Sequence, residues 1–169
     1  GAITVDDERQ TFIPASSKRT HLDDLFFMLE HLPGDGGTSL EDALQGLAER
    51  ARARSLVFVF GDMLDVGEEA LTLLRVMKKR RYEMVLFHVV DPAELTLPYE
   101  GLTLFDDLES SDQILVDPDD LREAYQEALH DHFETIESAC RDANLPYFRF
   151  LTTDPIEEVA LRFLQRRTA

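Results

Sequence analysis

Leu56 to Phe60 and Met84 to Val90 are continuous apolar runs, and the segment Glu68 to Lys79 between them opens acidic and closes basic. An unbroken apolar run is the pattern of a parallel strand covered on both faces. Acid at the start and base at the end is the arrangement a helix dipole favours. Strand, helix and strand at this spacing imply a right-handed crossover in a parallel sheet. The expected class is therefore α/β, with residues 1–169 forming one domain.

The rest of the chain fits around that unit. Ala2 to Val5 and Gln10 to Ile13 read as two short antiparallel strands. His21 to Leu32 reads as a helix with Leu22, Leu25, Phe26, Leu29 and Leu32 at spacings of three and four. Pro33-Gly34-Asp35-Gly36-Gly37 breaks it, and Thr38 or Ser39 caps a helix carrying Leu40, Ala43, Leu44 and Leu47. Leu102 to Leu108 and Gln113 to Val116 read as a hairpin beside the main sheet. A long helix is expected from Pro118 to about Asn144, with Phe133, Ile136 and Cys140 on its apolar stripe. Tyr147 to Leu151 is a last strand, and Pro155 opens a final helix from Ile156 to Arg166.

Charge narrows the function. Lys and Arg total 17 against 34 Asp and Glu, a formal net charge of -17. Such a field repels phosphate backbones and anionic lipid surfaces. Lys78-Lys79-Arg80-Arg81 is the main basic run, and its place at a helix end suits the dipole. Neither nucleic-acid binding nor membrane contact is expected of this segment. No apolar run approaches the roughly 18 residues that span a bilayer, and no signal peptide is present, so a cytoplasmic location is expected. Cys140, the single cysteine, has no internal partner and is expected to be a small core residue. The opening Gly-Ala-Ile-Thr-Val is already strand-like, as if cut from inside a longer protein.

Two of the buried strands end in acid, at Phe60-Gly61-Asp62 and Val90-Asp91-Pro92. In an open parallel sheet ligands bind beyond the carboxyl ends of the strands. Asp62 is thus either a cap for the helix that follows or a ligand for a hard cation, which takes oxygen donors. Asp91 before Pro92 reads as a turn former. Gly61 suggests a sharp turn or a close backbone approach. His88, inside an apolar strand, reads as a hydrogen-bonded core histidine. No phosphate-binding glycine loop, nucleophile elbow or HExxH pair occurs.

The order of short motifs over nearly the whole chain resembles the carboxy-terminal two-thirds of the von Willebrand factor A-like proteins called domain of unknown function 58. These are bacterial and archaeal proteins typically associated with MoxR-type AAA+ ATPases. The matching residues are Gly-Ala-Ile-Thr-Val at the start, Ile13-Pro14, His21-Leu22, Thr38-Ser39-Leu40 and Ser55-Leu56-Val57 leading into Gly61-Asp62. His88 to Leu95, Phe105 to Glu109, Val116-Asp117-Pro118, Tyr125 and Thr152-Thr153-Asp154-Pro155 follow in order.

The resemblance implies a three-layer, Rossmann-type, mostly parallel sheet with helices on both faces and an added β-hairpin. It also implies a metal-ion-dependent adhesion site in which Thr38 supplies a hydroxyl, Asp62 ligates Mg²⁺ or Mn²⁺, and a partner's acidic residue completes the shell. The DxSxS loop of that site is absent here, as is the first central strand that carries it, and Gly61 stands where many such proteins have Ser. Metal binding by this chain alone should then be weak, with a complete site only in a longer parent. A sheet lacking that strand would leave edges that a partner strand, repacking or a second copy must cover.

The function so implied is a non-enzymatic protein-interaction module, working with a MoxR-type ATPase in assembly or chaperone activity. The parent would be anchored, if at all, by a segment outside this one. Two enzyme-like alternatives stay open. One is a receiver-like phospho-acceptor using Asp62, although no Lys follows Tyr147 to Leu151. The other is a metal-dependent hydrolase using Asp62 and Asp91.

Overall fold

The structure, a computed structural model, describes residues 1–5, 10–32, 39–64, 66–107 and 112–168. Its centre is a three-stranded parallel sheet of β3 (Leu56–Gly61), β4 (Glu83–Val90) and β7 (Tyr147–Leu151), in the order β3-β4-β7. The register pairs Gly61 with His88 and His88 with Arg149, so all three strands point the same way. Helix α3 (Glu68–Lys79) carries the chain from β3 to β4, and α5 (Pro118–Asp142) carries it toward β7. The parallel α/β class read from the sequence is the class observed.

Because side chains alternate along a strand, each face of this sheet has its own core. Met84, Leu86 and His88 look toward α3, α5 and α2 (Leu40–Arg50). Leu44, Leu74, Met77, Ile136 and Cys140 complete that larger core. On the opposite face Val85 and Phe87 meet Phe148, Phe150 and, from α6 (Ile156–Thr168), Val159 and Phe163. Cys140 is 1% exposed, and burial pushes its thiol up to about 11. It is an inert core residue, as expected.

Strand β3 departs from expectation. The apolar run predicts cover on both faces, yet only Val57 and Val59 pack against the larger core. Leu56, Phe58 and Phe60 alternate with them and are exposed, Phe60 to 65%. The physical reason is lateral. β3 is an edge strand, and α6 covers the β4 and β7 side of the aromatic face. Phe60 stacks on Phe87 at 4.8 Å and Phe58 meets Phe163 edge-on at 5.3 Å, so these rings continue the aromatic core outward into solvent.

The remaining elements surround the sheet. β1 (Ala2–Val5) and β2 (Gln10–Ile13) form the expected antiparallel pair, as a sheet of their own. That hairpin rests on α2: Gln10 lies against Gly46, and its Nε2 donates to the Asp42 carbonyl at 3.0 Å. Ser39 is the N-cap of α2, its Oγ accepting from the Asp42 N–H at 3.1 Å. Helix α1 (His21–Glu30) has the expected periodicity, but Leu22, Phe26 and Leu29 are exposed. Among the described residues little packs against that stripe. β5 (Thr103–Asp106) and β6 (Gln113–Val116) pair as the second hairpin. A short helix, α4 (Pro92–Thr96), was not foreseen.

Candidate functional site at the carboxyl edge of the sheet

The crossover places the ends of β3, β4 and β7 along one edge, and with them Asp62, Asp91, Thr152 and Asp154. Their environments differ. Asp62 is exposed, and its Oδ1 accepts the Leu64 N–H at 3.1 Å. It does not cap α3, whose N-cap is Gly67. The chain turns at Met63, a buried side chain with φ of 60°. Gly61 does not make that turn: a Cβ there would come no closer than 3.9 Å to its neighbours. The sharp turn read from Gly61 is thus two residues later.

Asp91 is the N-cap of α4, in a capping box. Its Oδ1 accepts the Ala93 N–H at 2.8 Å, while Glu94 returns an oxygen to the Asp91 N–H at 3.0 Å. Its Oδ2 accepts from the Thr152 hydroxyl at 2.9 Å. Both carboxylate oxygens are therefore engaged in holding α4 and the end of β7 to β4. Asp154 turns back likewise, accepting the Leu151 N–H at 3.1 Å. No sequence pattern signals the Thr152 contact, since it joins residues 61 apart.

His88 lies just beneath this edge and is 1% exposed. Its Nδ1 is 2.8 Å from the Tyr147 hydroxyl, and its ring meets Phe133 edge-on at 5.2 Å. Burial, with smaller contributions from His132 and Arg149, lowers its pKa to about 4, against an opposing hydrogen bond that the ring donates to the Asp62 backbone carbonyl. Burial likewise pushes the Tyr147 hydroxyl up to about 12. Nε2 of His132 is buried with no hydrogen-bond partner among the described residues. The Arg149 guanidinium lies 4.2 Å over the Phe133 ring. His88 is thus the bonded core histidine that the sequence suggested.

Thr38, the other expected ligand, lies outside the described residues, as does Asp65. Among the described residues no group of three or more His, Cys, Asp or Glu side chains could hold a metal ion. With Asp91 occupied by its caps, Asp62 is the one carboxylate of this strand-end pair whose second oxygen takes no hydrogen bond among the described residues. A divalent cation takes six or more oxygen donors. The described residues do not form such a site by themselves.

What the fold and this edge define is an α/β domain with a parallel sheet and acid-bearing loops at the strand ends. The chain belongs to a family of unknown function: the model "Protein of unknown function DUF58" matches residues 1–135. Two solved structures resemble it in fold. One is the conserved hypothetical protein BatB from Bacteroides thetaiotaomicron, 14% identical, covering 86% of this chain and 68% of that one at a TM-score of 0.50. The other is an aerotolerance-related membrane protein from Bacteroides fragilis, solved with multiple mutations to serines. It is 17% identical and covers 88% of this chain and 69% of that one at 0.54. No curated protein matches. Among the described residues no helix is long and apolar enough to cross a membrane.

Proposed function

We propose that this domain is a protein-interaction module of von Willebrand A-like type, without catalysis of its own, that works with a MoxR-type AAA+ ATPase in assembly. The observation that carries the reading is the uncovered rim of β3. Leu56, Phe58 and Phe60 present an apolar strip on an edge strand. Such an edge accepts an added strand from a protein partner through backbone hydrogen bonds, with the aromatic rings supplying apolar area. Asp91, committed to capping, is a structural residue in this reading, which weighs against a hydrolase built on Asp62 and Asp91. The compartment is taken to be the cytoplasm.

Capture of a purified MoxR-type ATPase on the immobilised chain tests the partner and the surface together. The wild-type chain should retain the ATPase, and Phe58→Ser with Phe60→Ser should lose it at least about tenfold while keeping a native circular dichroism spectrum. Failure of the wild-type chain to retain it removes the ATPase from the proposal. Capture unaffected by the double change removes the β3 rim.

A separate titration addresses the ion. Mn²⁺ should bind this chain more weakly than about 1 mM by calorimetry, given so few oxygen donors. Micromolar binding that Asp62→Ala abolishes would instead assign a complete ion site at the strand ends.

A further inference from the structure

Seven of the chain's 17 cations fall within residues 50–55 and 78–83, alongside one carboxylate, Glu83. The fold draws these two segments together at the amino edge of the sheet, opposite Asp62 and Asp91. The Tyr82 hydroxyl donates to the Ala51 carbonyl at 2.9 Å, and the Glu83 N–H donates to the Ser55 carbonyl at 3.0 Å. The chain is acidic overall but electrically divided, with a basic pole at one end of the sheet.

Part of this pole serves the helices. Lys78 and Lys79 close α3, and Arg50 bonds the Gly46 carbonyl at 3.0 Å near the end of α2. Arg52, Arg54, Arg80 and Arg81 lie beyond the helix ends. All four are exposed. Carboxylates toward this end include Glu49, 3.5 Å from Arg50, and Asp142 at the end of α5.

Backbone conformation sets two of these arginines apart. Three turns enter the parallel strands at this edge, and each contains one residue with positive φ. At the β7 turn it is Asn144, with φ of 51°, a residue that tolerates this region. At the β3 and β4 turns it is Arg54, with φ of 70°, and Arg81, with φ of 69°, where glycine or asparagine would fit with less strain. A conformational penalty is thus carried twice, each time by an exposed arginine.

We infer that this basic pole is a docking surface for an anionic lipid bilayer. The surface is built of exposed turns, which a flat and laterally adaptable partner can meet. It lacks the exposed aromatic rings on which single-stranded bases stack, since Tyr82 is buried. It also lacks the apolar centre of a protein interface, because the residues between the arginines are Ala51, Ala53 and Ser55. The net negative charge does not forbid the contact. The six-residue β3 separates the poles by about 20 Å, whereas the Debye length at physiological salt is about 8 Å. At that salt a bilayer meets the basic end largely screened from the acidic one. This surface adjoins the β3 rim at Leu56 but shares no residue with it, and the arginine changes test one while the Phe58 and Phe60 changes test the other, so the two proposals fail independently.

Flotation with vesicles of phosphatidylcholine containing about 30% phosphatidylglycerol tests it. The chain should float with these and not with pure phosphatidylcholine, and binding should fall as salt rises above about 0.15 M. Arg54→Gly with Arg81→Gly relieves both strained positions, so the fold is kept. That pair should weaken vesicle binding by about 30-fold. Reversing all four arginines to Glu should abolish it. Retention of wild-type binding in the glycine pair overturns the proposal, as does absence of flotation by the wild-type chain. Binding to a DNA duplex or to polyglutamate in preference to the anionic vesicles also overturns it, and reassigns the pole to nucleic acid or to an acidic protein.

Discussion

Leu86→Ala should destabilise the domain by about 3–4 kcal/mol, lowering Tm by roughly 10 °C. Leu86 has no exposed surface and sits on the central strand, flanked by β3 and β7. Its neighbours on that face come from α2, α3 and α5, which are tied to one another through the sheet. They cannot close on a lost isobutyl group without moving the strand, so a cavity remains. Urea unfolding should show the midpoint falling with the slope unchanged. Phe60→Ala on the same sheet should cost under about 1 kcal/mol despite removing a larger ring, because that ring is already largely in water. Equal costs for the two changes would contradict the one-sided cover of β3.

Acid should weaken the fold through His88. Its pKa in the folded chain is lowered to about 4, chiefly by burial, whereas an unfolded histidine titrates near 6.5. Between those values the unfolded chain binds the proton and the folded chain does not. Stability from this group is therefore present above pH 6.5 and is lost as pH falls toward 4, with a slope of at most about 1.4 kcal/mol per unit. Urea midpoints at pH 7, 6 and 5 should decline in the wild type, before most carboxylates titrate. In His88→Gln, which keeps an acceptor for Tyr147, that decline should flatten. An unchanged decline would assign the acid sensitivity to other groups.

Periodicity carried the sequence reading where neighbours in the chain decide the structure. The βαβ unit, the two hairpins, a cap at Thr38 or Ser39 and the core position of Cys140 all follow from patterns a few residues long. The covered or uncovered state of β3 does not. Leu56 to Phe60 is apolar at every position, so alternation carries no information about which face lacks a helix. The stripe of α1 fails for the same reason: spacing identifies an apolar face, and only tertiary packing says whether anything meets it. At the candidate site, the crossover rule brings Asp62 and Asp91 to one edge correctly. It cannot say that Asp91 spends both oxygens on Ala93 and Thr152, nor that Gly67 rather than Asp62 caps α3. The arginines at positive φ were equally hidden, because Lys78 to Arg81 reads as an ordinary helix end until Arg52 and Arg54 are folded beside it.

The seat of the β1–β2 hairpin on α2 has a consequence for how the molecule opens. Its strands share no hydrogen-bond ladder with β3, β4 or β7, and its hold on the body runs through α2, by Gln10 at Gly46 and the Asp42 carbonyl and by Phe12 beneath the Arg50 guanidinium. The hairpin can detach in a local fluctuation that leaves the parallel sheet intact. Its amides then exchange with solvent on their own schedule, well ahead of those in β4, which wait for global unfolding. The hairpin and the parallel-sheet body should then behave as two cooperative units in time.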